Sequence, residues 1–108
     1  MSAHLGIIGF GAIAQGLIAV LCENEGAPEH ITILCRAGKE THTQVAAEAI
    51  IAGRGTSVNA VCDIAVLLDS NPDVVVECAG HSAIADFGTK VLDAGVDFIV
   101  ASIGALAD

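Results

Sequence analysis

The 108-residue sequence predicts an α/β domain: one parallel sheet with helices on both of its faces. Three observations lead there. Short unbroken apolar runs alternate with segments of helical period along the whole chain. The apolar residues make up 54% of the chain, but they include only three Phe and neither Tyr nor Trp, so the core must be built from Ala, Val, Ile and Leu, as buried parallel strands are. The first apolar run also passes straight through a glycine turn into a helix. Right-handed crossovers then give the expected strand order 3-2-1-4-5.

Taken in order, residues 5–10 read as the first strand. Residues 12 to about 24 read as a helix with Ile13, Leu17, Val20 and Leu21 on one face, closed by Gly26 and Pro28. Residues 31–35 are the second strand, and residues 43–52 a helix with Val45, Ala49 and Ile50 inward and Gly53 as its stop. Residues 57–61 form a short third strand. Asp63 caps a brief helix carrying Ile64, Leu67 and Leu68, which ends at Ser70-Asn71-Pro72. Residues 73–78, with Val74-Val75-Val76 unbroken, are the fourth strand. Residues 83–94 form a helix with Ile84, Phe87, Val91 and Leu92 on one face, ended by Gly95, and residues 97–102 are the fifth strand. No repeat, low-complexity tract or linker divides the chain, so residues 1–108 are expected to be one domain.

Composition narrows the function. A formal charge of −9 offers no basic patch to release counterions, which argues against nucleic acid and anionic membrane. No apolar run reaches the roughly 20 residues needed to span a bilayer. The opening Met1-Ser2-Ala3-His4-Leu5 has no basic region, so no signal peptide is indicated and a cytoplasmic place is expected. Cys22, Cys35, Cys62 and Cys78 form no C-x-x-C pair and read as buried free thiols; with the histidines His4, His30, His42 and His81 scattered, no metal site is expected.

The segment Leu5-Gly6-Ile7-Ile8-Gly9-Phe10-Gly11-Ala12-Ile13-Ala14 carries the chemistry. Gly9 and Gly11 fit the first two places of the dinucleotide fingerprint and Ala14 the third. The first place allows the tight turn, the second lets a pyrophosphate lie against the backbone, and the third lets helix pack on strand. The free N–H groups and positive dipole end of the helix then receive the phosphates. This makes the sheet Rossmann-type. Two rival readings fail. Gly6 to Gly11 and Gly11 to Gly16 have P-loop spacing, but neither is followed by Lys-Ser or Lys-Thr. A methyltransferase would carry an acid at the end of the second strand, where Arg36 stands.

That strand end also bears on the cofactor. An acid there suits the ribose hydroxyl of NAD, and an arginine suits the 2′-phosphate of NADP. The chain reads Leu34-Cys35-Arg36-Ala37-Gly38-Lys39, and Glu40 comes too late. Two of only four basic side chains fall here. Arg36 reads as stacking on the adenine or pairing with the 2′-phosphate through its planar fork, or else as a solvated loop arginine. NADP is the first expectation, with dual use or NAD behind it.

Ligands on such sheets sit beyond the carboxyl ends of the strands. Two small-residue turns reach that edge, Glu77-Cys78-Ala79-Gly80-His81-Ser82-Ala83 and Ala101-Ser102-Ile103-Gly104-Ala105, so the nicotinamide half could pass close to backbone there. His81 is the one catalytic candidate, read first as a polar turn residue beside a helix start, where the dipole disfavours imidazolium. Glu77 reads as held by neighbouring N–H groups, and Cys78 as packing rather than a nucleophile.

Ile8-Gly9-Phe10-Gly11-Ala12-Ile13, Val75-Val76-Glu77-Cys78-Ala79-Gly80-His81 and Ala101-Ser102-Ile103-Gly104-Ala105-Leu106, in that order, resemble the L-aspartate dehydrogenase family. The resemblance implies oxidative deamination of L-aspartate to iminoaspartate with hydride passing to NAD(P), the product leaving as oxaloacetate and ammonia or entering NAD synthesis. It implies pyrophosphate binding by Gly9, Gly11, Ala12 and Ile13, and a cofactor cleft lined by Cys78, Ala79, Gly80 and His81. It departs at Ala14, where the family usually has Gly. The family's acid–base histidine and aspartate-binding groups lie in a second domain, so cofactor binding without turnover is expected of residues 1–108. A homo-oligomer is expected. Two alternatives stay open: a non-catalytic nucleotide-binding module, and a dehydrogenase or reductase of another small amino-acid-pathway substrate, as in homoserine dehydrogenase or dihydrodipicolinate reductase.

Overall fold

A computed structural model describes residues 3–23, 27–79 and 81–101, with residues 81–86 described by their backbone alone. Five strands, β1 (His4–Ile8), β2 (His30–Leu34), β3 (Ser57–Val61), β4 (Val74–Glu77) and β5 (Asp97–Val100), alternate with four helices, α1 (Ala12–Glu23), α2 (Glu40–Ile50), α3 (Ile64–Asp69) and α4 (His81–Asp93). The sheet order is β3-β2-β1-β4-β5, with every pairing parallel, as the sequence predicts.

The sheet separates two cores. Leu5, Ile7, Ile31, Ile33 and Val76 pack with Ala14, Ile18 and Cys22 of α1 and Ala47 of α2. On the other side Ile8, Leu34, Val61 and Val75 pack with Leu67 of α3 and Val91 of α4. Successive residues of one strand alternate between these cores, the period of two that a pleated strand imposes.

The inward faces of three helices differ from the sequence expectation. In α1 the buried stripe is Ala14, Ile18 and Cys22; Leu17 and Leu21 pack against its margin, while Ile13 and Val20 are exposed. In α2, Thr43 and Ala47 are buried and Val45 and Ala49 exposed, with Ile50 at the margin. In α4, Val91 is buried and Phe87 half-buried as expected, but Leu92 is exposed. Small side chains let a helix lie close on a sheet, so alanines and a threonine take the inner line while larger residues flank it. The closing residues expected for α1 include Gly26, which lies outside the described residues.

Local polar contacts finish the elements. Asp63 Oδ1 accepts from the Ala65 N–H at 2.9 Å and starts α3, as expected. Gln44 reaches from α2 to the edge strand β3, donating to the Val58 carbonyl and accepting from the Ala60 N–H, each at 2.7 Å. Its amide therefore completes backbone groups that an edge strand would leave open. Arg54 Nη1 donates to the Cys22 carbonyl at 2.7 Å near the end of α1.

Candidate functional site

At the carboxyl edge the ladder continues one residue beyond the strands. Gly9 N–H donates to the Leu34 carbonyl at 2.8 Å, Cys35 N–H to Val61 at 2.8 Å, Cys78 N–H to Ile8 at 2.9 Å and Ala101 N–H to Glu77 at 2.9 Å. These bonds set Cys62, Cys35, Gly9, Cys78 and Ala101 side by side in one row. In front of the row lies a cavity of about 920 Å³.

Gly9 and Gly11 do different work. Gly9 has φ of +97°, in the left-handed region that side chains avoid, and a Cβ there would stand 2.8 Å from the Ala79 Cβ and 3.1 Å from its Cα. The turn out of β1 is therefore pressed against the turn out of β4. A Cβ on Gly11 would meet nothing within 4 Å, so the space in front of that backbone is open, and it belongs to the cavity. The Gln15 N–H donates to the Gly11 carbonyl at 3.0 Å, which leaves the Ala12, Ile13 and Ala14 N–H groups ahead of the helical ladder. Ala14 is fully buried between α1 and the sheet, the close contact the third fingerprint place requires.

Beyond β2 the chain turns at once: the Lys39 N–H donates to the Arg36 carbonyl at 3.0 Å. Arg36 and Lys39 are both exposed and both border the cavity. Asp63 also borders it, with one carboxylate oxygen already used in capping α3. Beyond β4, Glu77 is fully buried and its Oε2 accepts from the Ala79 N–H at 2.6 Å, which holds the turn that abuts Gly9. Burial first, then the charge of Glu77, push the Cys78 thiol up to about 11. Cys78 is thus a neutral packing group and no nucleophile at neutral pH.

Of the residues expected to bind cofactor, Gly9, Gly11, Arg36, Cys78 and Ala79 line this one cavity. Ala12 and Ile13 open α1 beside it, exposed, but do not line it. Gly80 and Ser102 lie outside the described residues, and of His81 only its backbone place, the first residue of α4, is described. His42, Thr43, Cys62, Asp63 and Phe87 line the cavity without having been singled out as ligands. Cys62 is exposed, contrary to the expectation of buried thiols, because it follows the last paired residue of an edge strand. Extending the carboxyl-edge rule from the second strand to its neighbour would have found Cys62 and Asp63.

An open parallel sheet with a glycine turn feeding a helix, and a cleft at the strand carboxyl ends, defines a dinucleotide-binding domain. The chain matches the family described as "Homoserine dehydrogenase, NAD binding domain" over residues 9–108, and it belongs to that family. Its cofactor is therefore a nicotinamide dinucleotide. L-aspartate dehydrogenase 2 of Bordetella pertussis is 36% identical over 108 residues, covering 100% of this chain and 37% of that protein. L-aspartate dehydrogenase of Ralstonia nicotianae is 30% identical over 105 residues, 97% of this chain and 37% of its own length. L-aspartate dehydrogenase 1 of Bordetella pertussis is 60% identical over a shorter stretch of 42 residues, 39% of this chain and 16% of that protein. The chain thus spans little more than a third of the relatives it matches end to end. Among solved structures, a lactate dehydrogenase from a Medee basin deep-sea metagenome library superposes with a TM-score of 0.66 at 16% identity, over 92% of this chain and 36% of that one. A malate dehydrogenase of Cryptosporidium parvum does so at 0.59 and 20% identity, over 75% and 26%. Both share the fold. Among the described residues, no helix is long and apolar enough to cross a membrane.

Proposed function

We propose that this chain holds the dinucleotide of an L-aspartate dehydrogenase, with the pyrophosphate on Gly11 and the first turn of α1 and with NADP preferred. The supporting observation is the open backbone at Gly11, which faces the same cavity as Arg36 and Lys39. Two cations at the end of β2 and no acid on that turn suit a 2′-phosphate, which a guanidinium can grip with two parallel N–H groups. Gly9 and Ala79 shape the pyrophosphate floor, with Ala12 and Ile13 beside it at the start of α1. Residues 78–81 and Ser102 are the residues we assign to the nicotinamide half.

When bound, the nicotinamide accepts the hydride; the protein supplies position and electrostatics. The substrate reading comes from the relatives' names, and in it the groups that recognise aspartate and move its proton belong to a further domain outside residues 1–108. The same reading carries a cytoplasmic place, a link to NAD biosynthesis and a homo-oligomeric enzyme. Val20, Val45 and Leu92 offer exposed apolar surface for such contacts.

Fluorescence titration of the chain with NADPH and with NADH tests the reading. Saturable binding of both, tighter for NADPH, is the expected result. Binding of neither by the folded chain overturns it, and tighter binding of NADH overturns the NADP preference.

A further inference from the structure

Cys35 and Cys62 follow the last paired residues of β2 and β3, Leu34 and Val61. The Cys35 N–H donates to the Val61 carbonyl at 2.8 Å, so the parallel register runs on and places Cys62 directly beside Cys35. Laterally adjacent residues of a pleated sheet point to the same face, and neighbouring strands lie about 4.8 Å apart. Disulfides span Cα separations of about 4.4–6.8 Å. Neither thiol is in a disulfide, the Cys35 thiol donates to the Val61 carbonyl at 3.4 Å, both cysteines line the cavity, and Cys62 is exposed. Cys62 has left the ladder of an edge strand, so it can move the short distance a bond requires. No other thiol competes: Cys78 stands two strands from Cys35, with Gly9 between, and Cys22 is buried under α1.

We propose that Cys35 and Cys62 are a redox pair, joined by a disulfide across the ends of β2 and β3, and that this bond weakens dinucleotide binding in the adenosine half of the cleft. The second clause rests on the dinucleotide reading above; the first does not. The oxidant is a small-molecule disulfide. The exposed Cys62 thiolate attacks it, forming a mixed disulfide and expelling one thiolate. The Cys35 thiolate then attacks the Cys62 sulfur and expels the second. Two cysteine thiols are oxidised with loss of two protons, and one disulfide is reduced to two thiols. The neighbouring Glu40 charge first, then burial, hold the Cys62 thiol above its ordinary range, so the exchange is slow at neutral pH and faster in mild alkali. The bond draws Cys62 toward the residue that precedes Arg36, narrowing the space where an adenosine ribose would lie. By reciprocity, bound dinucleotide slows the oxidation.

The test treats the chain with oxidised glutathione at pH 8.5, maps linked peptides by mass spectrometry, and titrates NADPH before and after. The expected result is one crosslink, between residues 35 and 62, with NADPH affinity lowered about tenfold, restored by dithiothreitol. The C62S variant, which lacks the attacking thiol, should show no oxidant-dependent loss, whereas C35S should stop at the Cys62–glutathione mixed disulfide, seen as a mass gain without the crosslink. Absence of that crosslink, or unchanged affinity once it has formed, overturns the proposal. If the reduced chain binds no dinucleotide, the functional reading fails, while the peptide map still decides the pair.

Discussion

The two edges of the sheet contrast sharply. At the amino edge, side chains close on one another. His4 Nε2 and Thr32 Oγ1 are 2.7 Å apart, the His4 N–H donates to Asp73 Oδ2 at 2.7 Å, and Ser57 Oγ is hydrogen-bonded to His30 Nδ1. The His4 and His30 rings meet edge to face at 5.4 Å. At the carboxyl edge the row is Cys62, Cys35, Gly9, Cys78 and Ala101, whose side chains are small, and the backbone at Gly11 faces open space. Both ends border a cavity, about 560 Å³ at the amino edge against about 920 Å³ at the carboxyl edge, and they differ in the size and polarity of the residues that line them. The amino edge satisfies its own hydrogen bonds, whereas the carboxyl edge leaves helix N–H groups for something else.

Four measurements would break or sharpen that contrast. Gly9→Ala should have the largest effect, because it forces a side chain into the left-handed region and against Ala79. The backbone conformation alone costs about 1–3 kcal/mol. Each kcal/mol lowers the melting midpoint of a domain of this size by about 4–8 °C. A midpoint within a degree or two of wild type would show that the two turns are not pressed together.

Arg36→Ala should weaken NADPH about tenfold and leave NADH within about twofold, as expected for one lost charge-assisted contact. Equal losses would remove the 2′-phosphate role. Alkylation by iodoacetamide at pH 8 should label the exposed Cys62 well before the buried Cys78, whose thiol titrates near 11. The reverse order would contradict the packing role given to Cys78.

The smallest effect concerns the amino edge. Burial first, then the charge of His30, lower the His4 pKa. The unfolded chain therefore takes up this proton at a higher pH than the folded one, and stability falls as pH drops through about 6.5. His4→Gln should flatten the melting midpoint between pH 7.5 and 5.5 by a degree or two and leave NADPH binding unchanged. A changed NADPH affinity would mean that the two edges are coupled.

Much of this was readable beforehand, for identifiable reasons. The third strand and the third helix have the expected bounds, because Asp63 supplies a cap and Ser70-Asn71-Pro72 a stop. Strand order follows from handedness once five alternating strands are recognised. The inner line of α1 was not legible, because that helix is apolar on nearly every side, so spacing of large residues cannot single out the stripe at Ala14, Ile18 and Cys22. In α2 the buried line runs through Thr43 and Ala47, neither of which reads as a core residue by hydrophobicity. At the site, the β1–α1 turn was legible because its residues are contiguous. The contribution of Cys62 and Phe87 depends on which strands and helices become neighbours, and that is set by the assembled sheet.

The central claim, that a pyrophosphate rests on bare backbone at Gly11, is tested most directly by calorimetric titration of NADPH into Gly11→Val beside the wild type. Apart from the adjoining residues, no atom of the described residues lies within 4 Å of a Cβ at that position, so the variant should fold and melt close to wild type. The account predicts that it binds NADPH at least a hundredfold more weakly. A folded Gly11→Val chain that binds NADPH as tightly as the wild type would contradict it.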